Sequence, residues 1–203
     1  MIAETPKVLI RLNFSFVAMV TIMLCLCDEK VVLSALVASF LHESGHIFFL
    51  TLFRCTPVSI TLSAFGICID RPPHSPLSFR RELAVALGGI GFNLAGSAAL
   101  ALCGLFWHNE LIGYAIAVNL LVALINSLPN ENLDSGRALF FLLLCITDEE
   151  KAEKIIRLLS VAFALAALIF FFIYTLIFGF NISLAAVTIY LSIMTFQGKV
   201  VKQ

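Results

Sequence analysis

The chain has 203 residues, 61% of them hydrophobic and only 13% charged, with a mean hydropathy of +1.03. An ordinary soluble domain is roughly 45–50% apolar and about 25% charged, so this balance excludes a disordered chain and argues against a soluble globular one. The 13 Lys and Arg are offset by 13 Asp and Glu, which leaves no positive surplus for nucleic acid.

In chain order, apolar stretches approaching the ~20 residues of a spanning helix lie near residues 8–27, 31–53, 83–107, 111–128 and on to 147 after an interruption, 158–178 and 182–197. The first follows Lys7 and Arg11 as a signal peptide would. It lacks a small-x-small cleavage site before Asp28-Glu29-Lys30, which predicts a retained helix. Residues 58–69, from Val58 to Ile69, alternate in places and are rich in β-branched side chains. They predict a short strand pair or hairpin, tolerated at membrane depth only under a cover of protein or water. The loop Arg71-Pro-Pro-His74-Ser-Pro76 reads as extended and exposed, with His74 a surface residue. Gly91, Gly96 and nearby small residues predict close helix packing. A polar run from Asn126 to Gly136, containing Pro129, breaks the fourth span. Glu149, Glu150, Lys151, Glu153, Lys154 and Arg157 predict a solvated interfacial helix, with a docking face for a substrate tail as the alternative.

The cysteines at 25, 27, 68, 103 and 145 lie within apolar or alternating stretches, and Cys55 does not; all six read as buried thiols, not a disulfide framework. Lys and Arg cluster at the start, between residues 54 and 81, between 151 and 157, and at the end. The turns between these clusters are nearly free of them, which predicts both termini on the cytoplasmic side. With no internal repeat or linker, the expectation is a single all-α membrane domain over residues 1–203. It has about six transmembrane helices, a short membrane-associated β hairpin and a broken fourth span; the motifs fall within 8–147 and two further spans within 158–197.

Chemistry concentrates at His42-Glu43-Ser44-Gly45-His46 in the second apolar stretch. At i and i+4 the two imidazoles share a helix face and reach one zinc ion, with Glu43 beside them as a general base. From this composition an HExxH arises by chance in roughly one of 300 such chains. Three ionisable groups in mid-helix are also expensive in lipid, which favours a functional site over mere hydrogen bonding across a bundle. A catalytic zinc takes three protein ligands. Asp70, Asn93, Asn119, Asn126, Glu131 and Asp134 are the polar candidates for the third. Asp134, a carboxylate at the broken span, is the best of them, and the plain alternative for it is a helix N-cap.

These residues resemble the site-2 proteases, zinc metalloproteases that cut within or beside the membrane. That family pairs HExxH with a later NxxPxxxLDG, and this chain has His42-Glu43-x-x-His46 followed by Asn126-x-x-Pro129-x-x-x-Leu133-Asp134. A GPxxN-like motif is matched by Gly89-Ile90-Gly91-Phe92-Asn93, with isoleucine for proline. In size and span count the chain is most similar to the compact sporulation-type subgroup, whose known member processes a sigma-factor precursor. The resemblance implies His42, His46 and Asp134 as zinc ligands, Glu43 as catalytic acid/base, and Asn126 and Asn93 as groups that contact substrate or support the active-site loop. It further implies a membrane-anchored or membrane-associated protein substrate, a bilayer setting in a bacterial plasma membrane, and room for an inhibitory membrane partner. The family's second proline and LDGG become Asn130-Glu131-Asn132 and Leu133-Asp134-Ser135-Gly136, which puts the loop's substrate-facing surface in question. Two other classes compete with a protease: a catalytically inactive relative acting as a membrane binding or regulatory protein, and a transporter or channel with these polar residues along its path.

Overall fold

The computed structural model of the chain describes residues 9–55, 57–63, 66–72, 77–107 and 109–196. In sequence order these form β1 (Leu9–Leu12), α1 (Phe14–Leu26), α2 (Glu29–Leu52), β2 (Ser59–Ser63), β3 (Gly66–Asp70), α3 (Phe79–Gly104), α4 (Glu110–Asn126), α5 (Asp134–Leu143), α6 (Glu149–Phe178) and α7 (Ile182–Phe196). By length and composition α2, α3 and α6 suffice to cross a membrane, which marks the chain as a membrane protein. α1, α4 and the stretch Leu184–Ile193 of α7 are apolar but shorter. His74 and His108 lie outside the described residues.

Local chemistry sets the helix ends. Asp28 caps α2 by accepting from the Lys30 amide at 2.8 Å, and Glu29 adds negative charge to the first turn, where the helix dipole favours it. At the far end of α6 the chain leaves through Gly179 at φ +90°, a conformation that costs glycine little.

Three expectations change. The first apolar stretch is not helical from residue 8: Leu9–Leu12 is a strand, and the helix starts at Phe14. Leu-Ile-Arg-Leu instead pairs in parallel with β2, Leu9 opposite Ser59 and Leu12 opposite Leu62. A short apolar run has no periodicity by which strand and helix are told apart. The mixed-charge run at 149–157 is not a separate interfacial helix; it is the first two turns of the 30-residue α6. Its Lys154–Glu150 pair, 2.6 Å apart and one turn along the same face, supports the first turns of that helix at the small gain typical of exposed pairs. The cysteines depart from the expectation in burial: Cys55 is buried as expected, whereas Cys25, Cys27, Cys103 and Cys145 lie on the outer surface, all five as free thiols.

The chain divides into two compact units, Met1–Leu124 and Ile125–Gln203. In the first, the hairpin expected at 58–69 is the antiparallel pair β2–β3, with Ser59 opposite Asp70 and Ser63 opposite Gly66. The sheet order is β1-β2-β3. Leu50, Cys55 and Val85 form a small core with Phe49, Phe53, Ile69 and Leu77 packed on it, joining the end of α2, the sheet and the start of α3. Arg71 leaves β3 and donates through Nη1 to both carboxylate oxygens of buried Glu82, at 2.7 and 2.9 Å, which ties the hairpin to the first turn of α3.

In the second unit, the polar break before α5 is held by its own buried groups. Asn130 donates through Nδ2 to Thr195 Oγ1 on α7 at 2.8 Å and accepts from the Asn132 amide at 3.0 Å. The Glu131 amide donates to Ser160 Oγ on α6 at 2.9 Å. Gly136 lets the loop rest on α5, because a Cβ there would collide with the Asn130 carbonyl and lie 2.9 Å from Glu131 Cα.

Candidate metal centre

α2 and α3 meet along two stripes at four-residue spacing, Ala38, His42 and His46 on one helix and Val85, Gly89 and Asn93 on the other. Small residues permit the approach. A Cβ on Gly45 would strike the Gly88 carbonyl, and one on Gly88 would lie 2.7 Å from the Gly45 carbonyl oxygen. Among the glycines expected to pack, Gly96 does meet Leu41 and Asn119, but Gly91 has nothing within 4 Å of where its Cβ would stand. The close contact belongs to Gly45, Gly88 and Gly89. Such backbone proximity is how helices associate in lipid, where no hydrophobic force drives them together.

This proximity fixes both imidazoles. Asn93, 0% exposed, donates through Nδ2 to the Ala38 carbonyl at 2.9 Å and to Asn119 Oδ1 at 2.8 Å. Its Oδ1 therefore faces His42 Nδ1, 2.7 Å away. A carbonyl oxygen only accepts, so His42 carries its proton on Nδ1. Asn119 in turn donates to the Ala115 carbonyl at 2.8 Å, which extends the relay to α4. His46 Nδ1 faces the Val85 carbonyl at 2.8 Å, and the same logic protonates it there. A ring whose one proton is on Nδ1 has its lone pair on Nε2, and the two Nε2 atoms stand 3.3 Å apart with the rings nearly perpendicular, at 84°.

Two such lone pairs face one another comfortably only around a positive charge. Nitrogens about 2.0–2.1 Å from one zinc at a tetrahedral angle lie about 3.3–3.4 Å apart, which matches the observed spacing. A metal-ligating histidine characteristically donates its other N–H to a carbonyl or carboxylate, as both do here. Glu43 is half-buried one residue along the same helix. Asp134 is the first residue of α5, and the N-cap is Leu133; the Asp134 side chain is buried. His42 and His46 present two imidazole nitrogens to one metal ion, and Asp134 offers a carboxylate. Two imidazoles and a carboxylate suit zinc.

The other candidates are placed as follows. Asn93 is buried, with its amide bonded to His42, Ala38 and Asn119, which makes it a positioning group for His42. Asn119 is the next member of that relay. Asp70 ends β3 and accepts from the Ser59 hydroxyl. Asn126, half-buried, is the last residue of α4. Reading by motif missed the Val85 and Ala38 carbonyls, because backbone acceptors carry no residue signature, and Gly45 and Gly88, whose close approach depends on how the two helices meet.

Gly89 carries a prediction. A Cβ there would lie 2.6 Å from both His42 Cε1 and His46 Nε2, so Gly89→Ala displaces the rings. It is expected to reduce zinc retention at least tenfold, whereas Gly91→Ala, with open space, leaves retention unchanged. Elemental analysis of both purified variants, with helix content checked by circular dichroism, decides this; equal zinc in the two would remove the tight α2–α3 approach from the account.

No protein-family model matches the sequence, and no curated protein matches it. Among solved structures the chain is similar to the site-2 protease from Methanocaldococcus jannaschii, with 21% identity, coverage of 96% of this chain and 92% of that chain, and a TM-score of 0.68. Two chains this diverged in sequence agree in backbone over nearly their full lengths: this protein has the fold of that site-2 protease.

Proposed function

We propose that the protein is an intramembrane zinc endopeptidase that hydrolyses a peptide bond within or near the membrane segment of a membrane-anchored protein. The observation that carries this reading is the pair of imidazoles, each held by an Nδ1–H donation so that two Nε2 lone pairs converge at 3.3 Å, on a helix that also carries Glu43. The shared fold supports it.

His42, His46 and Asp134 are the residues that would hold the zinc. Bound zinc supplies Lewis acidity, lowering the pKa of a water and drawing charge from the scissile carbonyl. Glu43 takes the proton of the attacking water and returns it to the leaving amine. Asn93 and the Val85 carbonyl keep the imidazoles in the tautomer that presents Nε2. The Asn126 amide donates to the substrate backbone or the developing oxyanion. A helical substrate hides its carbonyls, so the scissile stretch has to be extended, a task suited to strand addition on the β1-β2-β3 sheet. The setting is a bacterial plasma membrane with both termini cytoplasmic, and a regulatory precursor such as a sigma factor fits as substrate.

Zinc content tests the reading without a known substrate. The detergent-purified wild type is expected to hold about one zinc per chain, His42→Ala with His46→Ala none, and Asp134→Ala much less than wild type, as measured by elemental mass spectrometry. A well-folded wild type that takes up no zinc even on reconstitution would refute it.

A further inference from the structure

The second unit contains a cavity of about 230 Å³ that the metal centre does not use. Its walls are apolar, formed by Phe140 of α5 and Ile156 of α6 with Gly136 between loop and helix. Glu131, only 8% exposed, lines it as well, and its Oε1 is buried and accepts no hydrogen bond. A carboxylate oxygen removed from water without a donor is costly, by several kcal/mol in apolar surroundings, so the cavity calls for a donor that the chain does not place there. Four charged side chains of α6 stand around it. Lys154 is engaged with Glu150 at 2.6 Å. Glu153 adds negative charge. Arg157 lines the cavity and attracts Glu131 electrostatically without a close ion pair between them. With Glu131, the lining carries three carboxylates against two cations.

We infer that this cavity is a second binding site, which takes a primary ammonium on an apolar stem, the side chain of a lysine on the protein chain to be cleaved. The head would donate to Glu131 Oε1 in a charge-assisted hydrogen bond, and the methylene stem would lie against Phe140 and Ile156. The volume falls below the roughly 300–1,000 Å³ of sites that take a whole small molecule, and is suited to one side chain. A metal ion is a poor fit, because of the three lining carboxylates only Glu131 is buried and Glu150 is paired with Lys154, which leaves too few ligands. Lysine is abundant where a membrane segment meets the cytoplasm, so a membrane-anchored substrate presents one beside its span. That last step rests on the protease reading above; the ammonium site itself does not.

The test is binding to the full chain in detergent, followed by ligand-observed NMR with n-pentylammonium as the probe and n-pentanol as its uncharged match. Pentylammonium is expected to bind the wild type at least tenfold more tightly than Glu131→Gln, with pentanol indifferent to the substitution. Arg157→Gln, which removes the neighbouring cation, is expected to tighten pentylammonium several-fold. A lysine-bearing peptide should compete with the probe, and the same peptide acetylated on Nε should not. Equal binding of pentylammonium and pentanol to the wild type overturns the site, and this comparison stands even if Glu131→Gln fails to fold. An amine that binds while the lysine peptide does not compete overturns the assignment to a side chain in favour of a free amine. Because the readout is not cleavage, a chain that binds the amine but cuts nothing would sink the protease reading and leave this site standing.

Discussion

Glu43→Gln is expected to lower peptide hydrolysis by on the order of 10²–10⁴-fold, the usual contribution of a positioned general acid/base, while zinc stays at about one per chain. Glutamine keeps the shape of the side chain and its capacity to hydrogen-bond, and it loses only the ability to take and return a proton. His42 and His46 are held from their Nδ1 sides by Asn93 and the Val85 carbonyl, contacts that a change at position 43 does not remove. The measurement is cleavage of membrane-anchored reporter proteins by wild type and variant, with zinc content measured on the same preparations. Unchanged cleavage would remove Glu43 from the chemistry. A transporter predicts something different, a flux that tolerates this change with little zinc bound. An inactive relative predicts no cleavage by either protein and the same binding by both.

How much of this was legible in the sequence depended on the kind of signal. His42 and His46 were legible because four-residue spacing on a helix dictates a shared face whatever surrounds it. The β2–β3 pair was legible from alternation and β-branching. The strand at Leu9–Leu12 was not, since what makes it a strand is its partner 50 residues later at Ser59–Leu62. Asn93 stood in a recognisable motif, yet its role follows from Ala38 and Asn119, which fix which way its amide points. The free surface cysteines were misjudged because apolar neighbours signal burial in water but not in lipid, where the outer face of a helix is apolar as well. Glu131 was visible only as a departure from the family loop. Its meaning required the cavity, which α5 and α6 form together.

Asn93→Leu is expected to weaken zinc binding 10- to 100-fold, the cost typical of removing the partner that orients a metal-bound histidine. Leucine fills a similar volume but accepts nothing, so the His42 Nδ1 proton loses its acceptor and the ring is free to turn or to exchange tautomers, moving the lone pair off Nε2. Asn119→Leu acts one step further away, through the amide of Asn93, and is expected to cost less. Chelator competition gives the affinity, and thermal unfolding of the zinc-free protein gives the stability. A purely structural role for Asn93 would lower the unfolding temperature of both variants alike while the affinity of the folded fraction stayed the same. A positioning role lowers the affinity in the order Asn93→Leu, then Asn119→Leu, with the double variant no worse than Asn93→Leu alone, because Asn119 reaches the metal centre only through Asn93. Additive losses in the double variant would show that the two asparagines act separately and that the relay inferred from their geometry does not transmit to His42.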